Sequence, residues 1–129
     1  MDIVFISDNN YVFPTKIAIK SLISNKNKDV RYSISIIGVD LTDENVHILK
    51  NLESENVNIN IIQEAGKYND IGFEHQHVSK AALFKFQIPN IFSKLDKILY
   101  LDGDMLIKQD LMELYNTDPN HPILVVLAH

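Results

Sequence analysis

Cysteine is absent from the 129 residues, so neither a disulfide framework nor a thiolate metal site is possible. Basic residues are outnumbered, with 12 Lys and Arg against 17 Asp and Glu, a net charge of −5. No basic stripe appears, which argues against a nucleic-acid partner. No apolar run approaches the roughly 20 residues that a transmembrane helix requires. The opening Met1-Asp2-Ile3-Val4-Phe5-Ile6-Ser7 is too short and too acidic for a signal peptide and suits a first strand better. Repeats, low-complexity tracts and linkers are missing too. What remains is ordinary globular material, 46% hydrophobic and 22% charged, of a length that suggests one domain. These absences together point to a cytoplasmic protein.

The apolar pattern alternates between two periods. Ile3 to Ile6 is a continuous apolar run, as in a strand buried on both faces. Asp8-Asn9-Asn10 breaks it with turn residues. A helix should follow, with Pro14 in its first turn and Ile17, Ala18, Ser21 and Leu22 facing inward. Arg31 to Val39 reads as a second strand ending near Gly38. Thr42 should cap a helix that opens with Asp43 and Glu44, two acids placed well against the helix dipole. Its buried stripe is Val46, Leu49 and Leu52, and Asp43, Glu44, Glu53 and Glu55 make its wet face. Val57 to Ile62 is a third strand, and Gln63 to His77 a long irregular loop.

Val78 to Phe92 reads as a helix capped by Ser79 and broken at Pro89. A strand at Lys97–Leu101 runs into the Asp102-Gly103-Asp104 turn, then a short strand at Met105–Ile107, a short helix at Asp110–Tyr115 and an apolar strand at Ile123–Leu127. Alternating strands and helices predict a mostly parallel sheet covered on both faces. An α/β domain seldom ends on an uncovered strand, so the chain is expected to be the first part of a larger fold.

The chemistry is concentrated after the Lys97–Leu101 strand. Buried Ile98, Leu99 and Leu101 would carry two carboxylates to the sheet's edge, where open α/β sheets bind ligands. In extended backbone, residues two apart point the same way, so Asp102 and Asp104 could share a cation. Hard oxygen ligands select Mg2+, Mn2+ or Ca2+, and a diphosphate could complete the shell. Gly103 leaves room for a close approach. The plainer alternative is a solvated Asp-Gly turn. A second candidate is the end of the first strand, where Asp8 and Asn10 could bond a base or ribose and Tyr11 could stack on it; the plainer alternative is a polar turn with a helix cap. Tyr100 reads as core or half-buried. His75 and His77 lie two apart in a loop without a third metal ligand nearby.

Met1-Asp2-Ile3-Val4-Phe5 with Asp8-Asn9-Asn10-Tyr11 is similar to the start of the family 8 glycosyltransferases, which include bacterial lipopolysaccharide galactosyltransferases and glycogenins. Leu99-Tyr100-Leu101-Asp102-Gly103-Asp104-Met105-Leu106-Ile107 resembles that family's metal motif. Asp110-Leu111 with Glu113-Leu114-Tyr115 resembles a further segment downstream. The resemblance implies an α/β fold of the GT-A type, Rossmann-like with a mostly parallel sheet. It implies a UDP-sugar donor, Mn2+ (or Mg2+), and transfer of a hexose to an acceptor hydroxyl with retention of configuration. Ile6, Asp8, Asn10 and Tyr11 match the uridine-binding positions. Asp102 and Asp104 match the metal ligands, with Gly103 between them, and the Asp102 position also contacts the ribose. Lys85 falls where the family usually carries an arginine on the donor, keeping the charge without the planar fork. Leu83 stands where an aromatic is usual. Gly103 replaces a residue that varies, which should change little. His77 falls near an acceptor-facing position.

Family members run about twice as long. Residues 1–129 are therefore expected to be the donor-binding part of a single GT-A domain, with the acceptor-binding part, a third metal ligand and the acceptor's identity (glycan, lipid-linked sugar or protein) outside this stretch. The family also implies a location at most peripheral to the inner face of the membrane. Two alternatives stand beside this reading. One is a phosphohydrolase of the haloacid-dehalogenase type with Asp102 as nucleophile. The other is an inactive truncated fragment that binds nucleotide.

Overall fold

The computed structural model describes residues 1–64 and 83–117. Their elements are β1 (Asp2–Asp8), α1 (Val12–Asn25), β2 (Tyr32–Val39), α2 (Asp43–Lys50), β3 (Val57–Glu64), a 3₁₀ turn at Lys85–Gln87, α3 (Ile88–Ile91), β4 (Leu99–Tyr100) and α4 (Met112–Asn116). The expected Ser79 cap, the Ile123–Leu127 strand, His75, His77 and most of the Gln63–His77 loop lie outside the described residues.

All four strands are parallel, in the order β3-β2-β1-β4. The chain steps outward from β1 to β2 to β3, then returns to add β4 on the opposite side of β1. The order reverses between β1 and β4, and a crevice opens at the carboxyl ends of strands flanking such a reversal.

Alternation along β1 builds two cores. Ile3 and Phe5 pack with Ala18, Ile19 and Leu22 of α1, Leu49 of α2, and Tyr32, Ile34, Ile36 and Ile59 of the neighbouring strands. Val4 and Ile6 point the other way and join Ile37, Val39, Phe84 and Ile88. Both faces are thus covered, as continuous apolar strands require.

The sequence-derived elements hold with several corrections. Ile17 is exposed and Ile19 is buried in its place. The inward stripe of α1 is Thr15, Ala18, Ile19 and Leu22, spaced i, i+3, i+4 and i+7, and Ile17 falls out of that phase. β2 starts at Tyr32, one residue later than expected, and β3 keeps pairing to Glu64. The expected break near Pro89 is present: residues 83 and 84 are α-helical, Lys85–Gln87 tighten into the 3₁₀ turn, and Pro89 stands in the first turn of α3, where its missing N–H costs nothing. Among the described residues the last helix is Met112–Asn116, two residues late: Asp110 stays outside it, its Oδ1 accepting from Met112 N at 2.7 Å.

The largest corrections concern β4 and the segment after it. β4 comprises Leu99 and Tyr100, with Leu101 N adding a 3.0 Å bond to Val4 O, and among the described residues it pairs with β1 alone. Leu101 is buried, whereas Ile98 and Leu99 are half-buried. The expected strand at Met105–Ile107 is absent. Ile107 N donates to Ser21 Oγ (2.9 Å) and Ile107 O accepts from Asn25 Nδ2 (3.0 Å), so side chains of α1 satisfy the backbone that a ladder would have used.

Candidate functional site

β1 and β4 bring two polar segments to the same end of the sheet. Two residues beyond the Val4–Tyr100 register pair lie Ile6 and Asp102. Ile6 is buried in the second core. Asp8, the last residue of β1, folds its carboxylate back over the loop: Oδ1 accepts from Asn10 N (2.9 Å) and Tyr11 N (3.1 Å). This Asx turn leads into α1, as the plainer reading of the segment required. Asn10 and Tyr11 are exposed, and the Tyr11 ring remains available for stacking.

Asn9, between the two candidate residues, anchors the loop. Its Nδ2 donates to Asp40 O (2.8 Å), and its Oδ1 accepts from Thr42 N (3.0 Å) and Asn45 Nδ2 (2.8 Å). These bonds tie the β1–α1 loop to the β2–α2 turn, where Asp40 takes a left-handed φ of 51°. Thr42 Oγ1 accepts from Asn45 N (3.3 Å), the cap expected from the sequence.

Asp102-Gly103-Asp104 is a turn, as its letters suggest. Met105 N reaches back to Asp102 O at 3.4 Å, and both carboxylates are exposed. The exposed Asp-Gly turn of the plainer alternative is what the structure has, and extended backbone does not align the two carboxylates. The side chain of Asp102 is 52% accessible and is held by neighbours. Lys85 Nζ donates to its Oδ1 at 2.9 Å, and Tyr100 Oη donates to the same atom at 2.6 Å. Lys85 Nζ also lies 5.1 Å from the centre of the Tyr100 ring, within cation–π range. The Tyr100 hydrogen bond, with that of Lys85 and its charge, holds the Asp102 carboxyl below the usual carboxylate range against partial desolvation. Burial, the bond to Asp102 and the nearby negative charges of Asp102 and Asp104 push the Tyr100 phenol well above its ordinary value. It stays protonated and acts as a donor.

The chemistry of this donor set suits a hard divalent cation. Among the described residues no group of three or more His, Cys, Asp and Glu side chains forms a metal cage. Two carboxylates fit an ion that takes the rest of its shell from phosphate and water.

Sequence reasoning missed four residues here. Tyr100 is half-buried, as its sequence suggests, but its hydroxyl also meets the carboxylate two positions later. Asn9 was passed over because its partners lie 31 to 36 residues away. Ser7 and Thr15 are fully buried hydroxyls joined at 3.3 Å behind the turn. The expectation that glycine at 103 changes little also fails, since a Cβ there would stand 2.5 Å from Thr15 Oγ1.

Comparison with known proteins agrees with this geometry. The family model described as glycosyl transferase family 8 matches residues 2–129. Glycosyltransferase GlyB of Streptococcus pneumoniae serotype 4 is 32% identical over 120 residues, covering 90% of this chain and 28% of that protein. GlyF of the same organism is 27% identical over 117 residues, with the same coverage of each. A crystal structure of the galactosyltransferase LgtC in complex with donor and acceptor sugar analogues superposes with a TM-score of 0.78. It is 28% identical, over 92% of this chain and 43% of LgtC. The chain thus spans less than half the length of these relatives. The phosphohydrolase alternative is not favoured: its motif belongs on a first strand, whereas Asp102 follows the fourth. With the parallel sheet, the reversal beside β1 and the motif order all in agreement, the chain belongs to glycosyltransferase family 8 and carries the GT-A fold of that family's members such as LgtC.

Proposed function

We propose that this chain is the donor-binding part of a retaining glycosyltransferase that moves a hexose from a UDP-sugar to an acceptor hydroxyl. The observation that carries the reading is the meeting of two segments at one sheet edge, Asp8–Tyr11 after β1 and Asp102–Asp104 after β4, beside the Lys85 ammonium. LgtC, seen with donor and acceptor sugar analogues, supports the substrate class.

In this reading Asp8 and Asn10 bond the uracil and ribose, Ile6 lines the floor, and Tyr11 lies against the base. Asp102 and Asp104 hold Mn2+ or Mg2+, and Asp102 also meets the ribose. When bound, the cation supplies charge neutralisation for the departing diphosphate. Lys85 adds a second positive charge on the same side and is placed to move from Asp102 to a phosphate oxygen. Tyr100 keeps the Asp102 carboxylate ionised and oriented. The acceptor, with His77 near it, completes the site. The protein works in the cytoplasm, peripheral at most to the inner face of the membrane.

Isothermal titration of the chain with UDP, with and without Mn2+, tests the proposal. Binding that requires Mn2+ and is abolished by Asp102→Asn supports it. UDP affinity unaffected by Mn2+ and by substitution of both aspartates refutes it. UDP release from UDP-galactose or UDP-glucose then separates a chain competent for turnover from one that only binds.

A further inference from the structure

The Asp102-Gly103-Asp104 turn does not hold its own shape. Its one internal backbone bond, Met105 N to Asp102 O, is long at 3.4 Å, and both aspartates are exposed. Gly103, by contrast, is buried. A Cβ built on it would meet Thr15 Oγ1 at 2.5 Å and Thr15 Cβ at 3.5 Å. Real Cβ atoms do not approach an oxygen that closely, so the backbone of Gly103 lies directly against the Thr15 side chain.

Thr15 cannot easily withdraw. It is fully buried in the inward stripe of α1, and its β-branch restricts χ1. Its hydroxyl donates to Ser7 Oγ at 3.3 Å, and the Ser7 hydroxyl reaches Asp8 O at 3.2 Å. Ser7 is likewise fully buried. A line of contacts therefore runs from the turn through Thr15 and Ser7 to Asp8. It joins the two segments assigned to the metal and to the nucleoside.

We infer that Thr15 is a positioning residue for the Asp102–Asp104 turn: its buried side chain is the surface against which Gly103 seats, and the pair sets where the two carboxylates stand relative to Asp8. Glycine at 103 is the partner that threonine at 15 demands. The inference rests on the proposed metal site for its consequence, but its steric content does not.

A double-mutant cycle on the full chain tests it. Mn2+ binding is followed by the electron paramagnetic resonance signal of the free ion. The amide NMR signals of residues 102–105 are recorded without metal. Gly103→Ala should weaken Mn2+ binding about tenfold, the effect of a crowded methyl in a packed site, and shift those amide signals. Thr15→Ala should weaken binding by less, about threefold. The double variant should bind as Thr15→Ala does, with amide signals returned toward the wild type, because the second change removes the clash made by the first. Thr15→Ser serves where Thr15→Ala does not fold, since a serine hydroxyl can rotate away from the new methyl.

Losses that simply multiply in the double variant overturn the inference, as does a Gly103→Ala chain indistinguishable from the wild type. Should the wild-type chain bind no Mn2+, the proposed metal role fails. The amide signals still decide the inference, rescue supporting it and additive shifts overturning it.

Discussion

Replacing Asn9 with alanine should loosen the β1–α1 loop by a definable amount. The side chain makes three hydrogen bonds of 2.8 to 3.0 Å, to Asp40 O, Thr42 N and Asn45 Nδ2. All are solvent-exposed, so each sits at the low end of the net range, about 0.5 kcal/mol. Water re-solvates the freed groups, and the sum is about 1.5 kcal/mol. With a urea m-value of about 2 kcal/mol/M, the unfolding midpoint should fall by about 0.75 M. Asn9→Asp sharpens the test. It retains an acceptor for Thr42 N and Asn45 Nδ2 and loses only the bond to Asp40 O, so it should lose less than alanine. Under the proposed function both variants also raise the Kd for UDP, by about threefold or more, because the free loop must be ordered on binding. Urea titrations of the three chains, followed by circular dichroism, give the stabilities. A loss below about 0.5 kcal/mol for Asn9→Ala, the range of an ordinary surface change, would refute the reasoning.

Tyr100→Phe removes the hydroxyl that bonds Asp102, so the Asp102 carboxyl should titrate at a higher pH, read by carbon NMR of its side chain. The sign for stability follows from the depressed carboxyl in the folded chain. The Asp102 contribution is fully present above the unfolded carboxyl value and is lost as pH falls through the lower folded one. Because half of that side chain is accessible, the effect is small, and acid unfolding of Asp102→Asn should lack only a minor share of the wild-type pH dependence. Ile34→Ala should cost about 2–5 kcal/mol in urea unfolding, since Ile34 is fully buried in the centre of the first core. Asp110→Ala should destabilise by about 2 kcal/mol, because it strips partners from Asn27 N, Met112 N and the part-buried Tyr32 hydroxyl. Hydrogen exchange at Met112 reports that loss locally.

The fold was legible where burial sets the pattern. Ile3–Ile6 reads as a strand because both faces of an interior parallel strand demand an apolar run, whereas Val57–Ile62 reads as one by alternation, with Val57 and Ile59 buried and Asn58 and Asn60 exposed at the end of the strand order. Thr42 with Asp43 and Glu44 marked a helix start because a cap and a dipole act within one turn. The parallel arrangement followed from the alternation of elements. Features set by distant partners escaped. Met105–Ile107 has the apolar character of a strand, yet Ser21 and Asn25 of α1 take its backbone bonds, and nothing near residue 105 announces them. Ile17 and Ile19 are chemically alike, and only the phase fixed by Thr15 and Leu22 separates them. At the site, the letters of Asp102-Gly103-Asp104 read as a turn, and the structure has one there. Neither Tyr100 on Asp102 nor the close packing of Gly103 on Thr15 has a local signal.

Helix α1 touches everything that the site uses on this side of the sheet. It starts at the Asp8–Tyr11 loop, backs the Asp102–Asp104 turn through Thr15, and pins Ile107 through Ser21 and Asn25. Under the proposed function, the segments assigned to nucleoside and cation are therefore bolted to one chassis, and the spacing between them is a fixed dimension of the molecule. On that reading, any motion that admits a donor or discharges the spent nucleotide belongs to segments not mounted on that rod.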